Sequence, residues 1–134
     1  MRRVVLDASV LVAALIDNGP DGEFAETLLA DAPGAVAAPE LLLAESANIL
    51  RRAEHDGRLE AEEAAAAYAD LLAFDFVSFP YAPFAERIWE LRHNLSTYDA
   101  WYVAVAEELG APLATLDRRM TRAPGLLCPF LMPV

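Results

Sequence analysis

Short β-branched apolar runs alternate along this chain with longer stretches that are apolar on one face only. The first short run is Arg3-Val4-Val5-Leu6-Asp7. It lacks polar alternation, which predicts a strand buried on both faces, as in a parallel sheet. Ala8 to Ile16 reads as a helix stopped by Asn18-Gly19-Pro20, and Glu23 to Ala30 as a second helix ending before Pro33-Gly34. Ala35-Val36-Ala37 predicts another strand, with Pro39 at the start of a helix that runs from Glu40 to Glu54. A helix over Glu60 to Leu72 and a strand over Asp75 to Phe79, closed by Pro80, come next. Helices over Phe84 to Leu95 and Tyr98 to Leu109 follow, the latter stopped by Gly110 and Pro112. Leu113 to Leu116 reads as a strand, Arg118 to Arg122 as a helical turn, and Leu126 to Cys128 as a last edge strand. Strands and amphipathic helices in this alternation predict an α/β fold with helices covering a mostly parallel sheet.

A length of 134 residues predicts one domain over 1–134, and 56% hydrophobic against 23% charged residues is a folding composition. The net charge is −11, and all ten basic residues are Arg. The absence of Lys excludes Schiff-base enzymes and P-loop nucleotide hydrolases, which need an ammonium. One cysteine, Cys128, leaves no internal disulfide, and two histidines, His55 and His93, are too few for a His-rich metal cage. No apolar run reaches the ~18 residues of a membrane span, and the start lacks a signal-peptide pattern. A soluble cytoplasmic protein is expected. The negative total disfavours nucleic acid only if it is evenly spread, and Arg2–Arg3, Arg51–Arg52 and Arg118–Arg119–Arg122 are clustered.

Four carboxylates stand in unusual places. Asp7 and Asp117 each directly follow an apolar strand run, and in open α/β sheets the C-terminal strand ends border the ligand crevice. Either is equally readable as a helix N-cap. Glu45 shares a helix face with Leu41, Leu42 and Ile49. A carboxylate within an apolar stripe must be paired, protonated or bound to a cation, or else lie at a solvated stripe edge; an ion pair with Arg52 is one alternative. Asp99 is in phase with Tyr102, Val103 and Ala106, but Ser96-Thr97-Tyr98-Asp99 also fits a capping box. Converging on one crevice, the four would repel strongly, and with no Lys present a divalent cation is the natural partner. All-oxygen ligation selects Mg²⁺ or Mn²⁺ over Zn²⁺, and such sites perform phosphodiester chemistry.

These residues carry a resemblance. Val5-Leu6-Asp7-Ala8-Ser9-Val10-Leu11-Val12, Pro39-Glu40-Leu41 through Glu45 to Asn48-Ile49-Leu50, Ser96 to Ala104 with Asp99, and Ala114-Thr115-Leu116-Asp117-Arg118-Arg119-Met120 occur in that order. In order, spacing and total length the chain resembles the PIN-domain ribonucleases, specifically the VapC-type toxins of bacterial toxin–antitoxin modules. The resemblance implies a three-layer α/β/α sandwich and cleavage of RNA dependent on Mg²⁺ or Mn²⁺. It places the catalytic and metal-binding acids on Asp7, Glu45, Asp99 and Asp117, with Ser9 and Thr115 in support. It also implies a homodimer and a small antitoxin partner. Some relatives carry a further acid beside the last Asp, whereas the neighbours here are Leu116 and Arg118, so one metal or two stays open.

Rival readings are poorer. A phosphoaspartate enzyme resembles a pattern that uses Lys, and a Ser-His-Asp hydrolase would need a G-x-S-x-G elbow that does not occur. A catalytically silent PIN-like domain that binds protein or RNA is the alternative from another class. His55 and His93 read as surface or helix-end residues, and Cys128 as a small buried apolar one. Trp89, Tyr98, Trp101 and Tyr102 are expected to serve core or dimer packing rather than RNA stacking.

Overall fold

The computed structural model describes residues 2–134. Among these, five strands form one all-parallel sheet in the order β3-β2-β1-β4-β5, with β1 Val4–Leu6, β2 Val36–Pro39, β3 Val77–Phe79, β4 Leu113–Ala114 and β5 Phe130–Leu131. The helices are α1 Ala8–Ile16, α2 Pro20–Asp31, α3 Leu41–His55, α4 Ala61–Ala73, α5 Ala85–Glu90, α6 Thr97–Leu109 and α7 Arg118–Thr121. A 3₁₀ turn at Ala82–Phe84 leads into α5.

Strand β1 is central because it is the most apolar: Val5 pairs with Ala37 on one side and Leu113 on the other. Val5, Leu6, Leu113 and Ala114 are all completely buried. From β1 the chain steps outward to β2 and β3, then jumps back across the sheet to β4 and β5. Right-handed crossovers in opposite directions put α1 to α4 on one face and α5 with α6 on the other. The expected three-layer α/β/α architecture follows, with α1 packed on α2 and α3, and α6 packed on β1, β2 and α5. The reversal of direction falls between β1 and β4. In such sheets the crevice outside the carboxyl ends at that switch point is where ligands bind.

The structure corrects several expected elements. Helix α2 begins at Pro20 rather than Glu23, since Pro suits the first helical position and Gly19 precedes it as the cap. Gly22 then lies in the α1–α2 contact, where a Cβ would overlap the Asp17 carbonyl oxygen. The helix expected over Phe84 to Leu95 ends at Glu90, and the chain continues in turns. The last strand is not Leu126 to Cys128 but Phe130–Leu131; Leu113 N–H donates to the Pro129 carbonyl at 2.9 Å and Thr115 N–H to that of Leu131 at 3.1 Å. Pro129 can sit there because an edge strand does not need its N–H. Helix α6 ends at Gly110, whose φ of 61° is a left-handed cap that other residues adopt at a cost.

Candidate metal-binding crevice at the carboxyl ends of β1 and β4

Asp7 ends β1 and caps α1. Its N–H remains in the ladder, donating to the Ala114 carbonyl at 3.1 Å, while its Oδ1 accepts the Val10 N–H at 3.3 Å. The capping reading is thus true of Asp7, but it does not exhaust the carboxylate. Ser9 Oγ donates to Oδ1 and Thr115 Oγ1 to Oδ2, each at 2.5 Å. Both hydroxyls are held in turn, because Ser9 Oγ accepts the Leu116 N–H at 3.1 Å and Thr115 Oγ1 the Asp117 N–H at 3.0 Å. This knot ties the β1–α1 corner to the β4–α7 corner and locks one carboxylate between them. Each carboxylate oxygen has about two acceptor directions, so Oδ1 is filled by Val10 and Ser9 while Oδ2, with Thr115 alone, keeps one free. Asp7 is 7% exposed, and burial pushes its pKa up while the two hydroxyls pull it down.

Glu45 enters from the second turn of α3, half-buried. Burial raises its pKa, and the negative charges of Asp99 and Asp7 add to that. Among the described residues the ion pairs are Arg58–Asp56, Arg87–Glu107 and Arg119–Asp117, so the pair with Arg52 considered above is not formed. Asp99 lies in the first turn of α6, where Ser96 Oγ accepts its N–H at 3.1 Å. That is half of the anticipated capping box. The reciprocal half is seen instead in α4, where Glu63 accepts the Glu60 N–H at 2.9 Å. The Asp99 pKa is raised by burial and then by the charges of Asp117 and Asp7, with Arg119 opposing. Asp117 caps α7 by accepting the Arg119 N–H at 2.9 Å and stands 3.7 Å from Arg119 Nε.

Two strand ends and the first two turns of two helices therefore bring their acids into the field of one another. Among the described residues no three Asp, Glu, His or Cys side chains gather around a single point at ligating distance. The acids are spread around the carboxyl ends of β1 and β4 rather than gathered into a closed cage. A spread, all-oxygen set suits Mg²⁺, which keeps several waters and is usually held by one or two carboxylates together with substrate phosphates.

The arginine clusters separate in space. Arg2 and Arg3 lead into β1 at the end opposite the crevice, and Arg51 and Arg52 lie beyond Glu45 along α3. Arg119 is the one whose charge reaches Asp99. The four aromatics also divide. Trp101 and Tyr102 are buried, but Trp89 is 63% and Tyr98 59% exposed, so neither of those two packs in the core. His55 and His93 are exposed, and Cys128 is buried. Tyr102 belongs to the crevice in a way its apolar phase concealed. Its hydroxyl is buried and faces Glu45 without reaching hydrogen-bond geometry. Ser46 Oγ and Trp101 Nε1 are likewise buried without a partner. The only signal in the sequence that points to Tyr102 is local, its spacing of three from Asp99 on one helix.

Residues 4–126 match the PIN domain family. Ribonuclease VapC1 of Mycobacterium tuberculosis is 40% identical over 129 residues, covering 96% of each chain. The structure of VapC20 of Mycobacterium tuberculosis, described as a Sarcin-Ricin loop cleaving toxin, superposes with a TM-score of 0.68 at 24% identity, over 92% of this chain and 96% of that one. A toxin-antitoxin complex from Klebsiella pneumoniae contains a chain that superposes with a TM-score of 0.62 at 20% identity, over 94% of this chain and 97% of that one. At those identities the two structures speak for the fold. With the family match and VapC1 they agree with the layered parallel sheet, and the chain belongs to the PIN-domain family, among the VapC ribonucleases.

Proposed function

We propose that this chain is an endoribonuclease that hydrolyses RNA phosphodiester bonds as the toxin of a toxin–antitoxin pair, using Mg²⁺ or Mn²⁺ held by Asp7, Glu45, Asp99 and Asp117. The observation that supports this reading is geometric: Asp7 is buried between the hydroxyls of Ser9 and Thr115, and among the described residues it, Glu45 and Asp99 have no basic partner at hydrogen-bonding distance. Like charges in a site of reduced dielectric cost several kcal/mol unless a cation offsets them. A divalent cation bound there supplies acidification of water and neutralisation of the charge that develops on the phosphate.

The chain's own residues do the rest. Ser9 and Thr115 fix the Asp7 carboxylate in one orientation, so no reorganisation is needed when RNA arrives. Arg119, exposed beside Asp117, holds a flanking phosphate against the net charge of −11. The kinship with Ribonuclease VapC1 supports RNA as the substrate, and the toxin-antitoxin complex from Klebsiella pneumoniae supports a small antitoxin protein as partner. A homodimer is proposed from the family alone. The apolar side chains at the end of α4 and just beyond it are mostly internal: Leu71 is buried, Phe74 and Phe76 are half-buried against each other, and Leu72 is exposed. No helix among the described residues is long and apolar enough to cross a membrane, and the cytoplasm is the proposed place of action.

The test is cleavage of total RNA by purified protein with Mg²⁺ or Mn²⁺, against EDTA and against Asp99→Asn. Cleavage that needs the metal and disappears in the variant is the expected result. RNA left intact by the metal-loaded wild type overturns the enzymatic reading in favour of a silent binding domain.

A further inference from the structure

We infer that Tyr102 is a positioning residue for the crevice, its hydroxyl donating to the Glu45 carboxylate and holding that side chain turned toward Asp7 and Asp99. The inference rests on the metal-binding reading above. Tyr102 is 1% exposed, and its hydroxyl is one of three buried polar side-chain atoms without a hydrogen-bond partner among the described residues. A buried hydroxyl without a partner is costly, and Phe would fill the same volume without that cost. The hydroxyl is therefore expected to have a use in a state where Glu45 is turned to meet it.

The geometry limits what that use is. Asp99 and Tyr102 are three apart on α6, hence on the same face of one helical turn. A single rigid turn thus carries one acid of the crevice and the hydroxyl that faces another acid, Glu45, which arrives on α3 from across the sheet. The backbone that places Asp99 also places the donor for Glu45, so the two acids are set relative to each other by α6. A phenol carries its proton at neutral pH, so what Tyr102 offers its neighbour is a donor. A donor to one carboxylate oxygen leaves the other oxygen directed at the cation. Ser9 and Thr115 orient Asp7 by donating to both of its oxygens, and outer partners of metal ligands typically account for 10–100-fold in metal affinity or activity.

The experiment is a double-mutant cycle on the full chain with Tyr102→Phe, Glu45→Gln and the pair, read as Mn²⁺ affinity by calorimetry and as melting temperature in EDTA. Tyr102→Phe is expected to weaken Mn²⁺ binding about 10–100-fold, to leave the EDTA melt unchanged or higher, and to lower kcat with KM for RNA unchanged. In the Glu45→Gln background the same change is expected to have no further effect on Mn²⁺. Unaltered Mn²⁺ affinity in a folded Tyr102→Phe overturns the inference, as does an equal loss in both backgrounds. A wild type that binds no Mn²⁺ is a different failure and overturns the site reading itself.

Discussion

Helix α6 carries an acid near each end, and the fold surrounds the two in opposite ways. Glu107, in the last turn, accepts Arg87 Nε at 2.7 Å, Arg87 Nη2 at 3.0 Å and the Leu127 N–H at 2.8 Å. Arg87 Nη2 also donates to the Gly125 carbonyl at 2.8 Å, so one ion pair pins the C-terminal loop to α5 and α6. Asp99, in the first turn, feels chiefly burial and the like charges of Asp117 and Asp7. One carboxylate is satisfied, the other is crowded by its own kind. A bidentate Arg pair with a backbone donor is how a protein makes an acid stabilising. Acids crowded together without compensation mark a site where stability has been given up for function.

Neutralising the two acids should therefore have opposite signatures, and the largest effect belongs to activity. Asp99→Asn keeps the shape and the first-turn capping of α6. It is expected to reduce metal-dependent RNA cleavage by at least ~10²-fold, the scale lost when even an outer partner of a metal ligand is removed. Glu107→Gln is expected to leave the specific activity of folded protein unchanged. An active Asp99→Asn would erase the functional half of the comparison.

Metal linkage comes next. Mn²⁺ at a hundred times its dissociation constant is expected to stabilise the wild type by about 2.7 kcal/mol, seen as a melting-temperature rise of several degrees. Glu107→Gln should keep that rise and Asp99→Asn should lose most of it. A response that survives in Asp99→Asn would leave Asp99 no more than an acid in the first turn of α6, outside the site.

In the absence of metal the order reverses. Glu107→Gln leaves the partly buried Arg87 without its counter-charge and is expected to destabilise by about 2 kcal/mol, the range of hydrogen bonds to charged groups discounted for the solvent that reaches Arg87. Asp99→Asn removes a repelling charge, and in EDTA it is expected to melt at the wild-type temperature or above. Thermal or urea unfolding of both variants in EDTA checks the pair of signs.

The two ends of α6 also differ in how far the chain alone reveals them. Asp99 was legible because its oddity is local: an acid in phase with Tyr102, Val103 and Ala106. Asp7 and Asp117 were legible for the same reason, each following an apolar strand, and their capping bonds turn out to coexist with the crevice. The Arg87–Glu107 clamp spans twenty residues and leaves no periodic trace, so it was not anticipated. The strand order was equally beyond a local reading, because parallel pairing is a tertiary choice. Edge strand β5 was misplaced onto the more apolar Leu126 to Cys128 because its register is set by backbone bonds to β4 rather than by its own side chains. Tyr102 looked like core and is core; that its hydroxyl also borders the acids depends on α3 and α6 meeting across β2.

The smallest expected effect, and the one that isolates the crowded end most directly, is the pH dependence of stability without metal. Asp7, Glu45 and Asp99 all have pKa values raised in the folded protein, first by burial. Between the ordinary carboxylate range and these raised values the native state holds more protons than the unfolded state. Stability must therefore fall as pH rises through that window, the reverse of the usual behaviour of paired acids. The slope per proton is at most about 1.4 kcal/mol per pH unit, and solvent reaching Glu45 and Asp99 reduces it. In EDTA the wild type is expected to lose stability from the ordinary carboxylate range upward until all three acids are ionised. Asp99→Asn should flatten that descent twice over, by removing one titrating group and by relieving the charge on Glu45. With saturating Mn²⁺ the direction should invert, because protons and cation compete for the same oxygens and the bound form gains as the acids ionise. Glu107→Gln should keep the descent of the wild type, since its partner Arg87 stays charged throughout. Urea unfolding of the three proteins from pH 4 to 7, in EDTA and in Mn²⁺, reads all of this. A wild type whose metal-free stability rises steadily across that range would mean that the acids at the N-terminal end of α6 are no more burdened than the one at the other end.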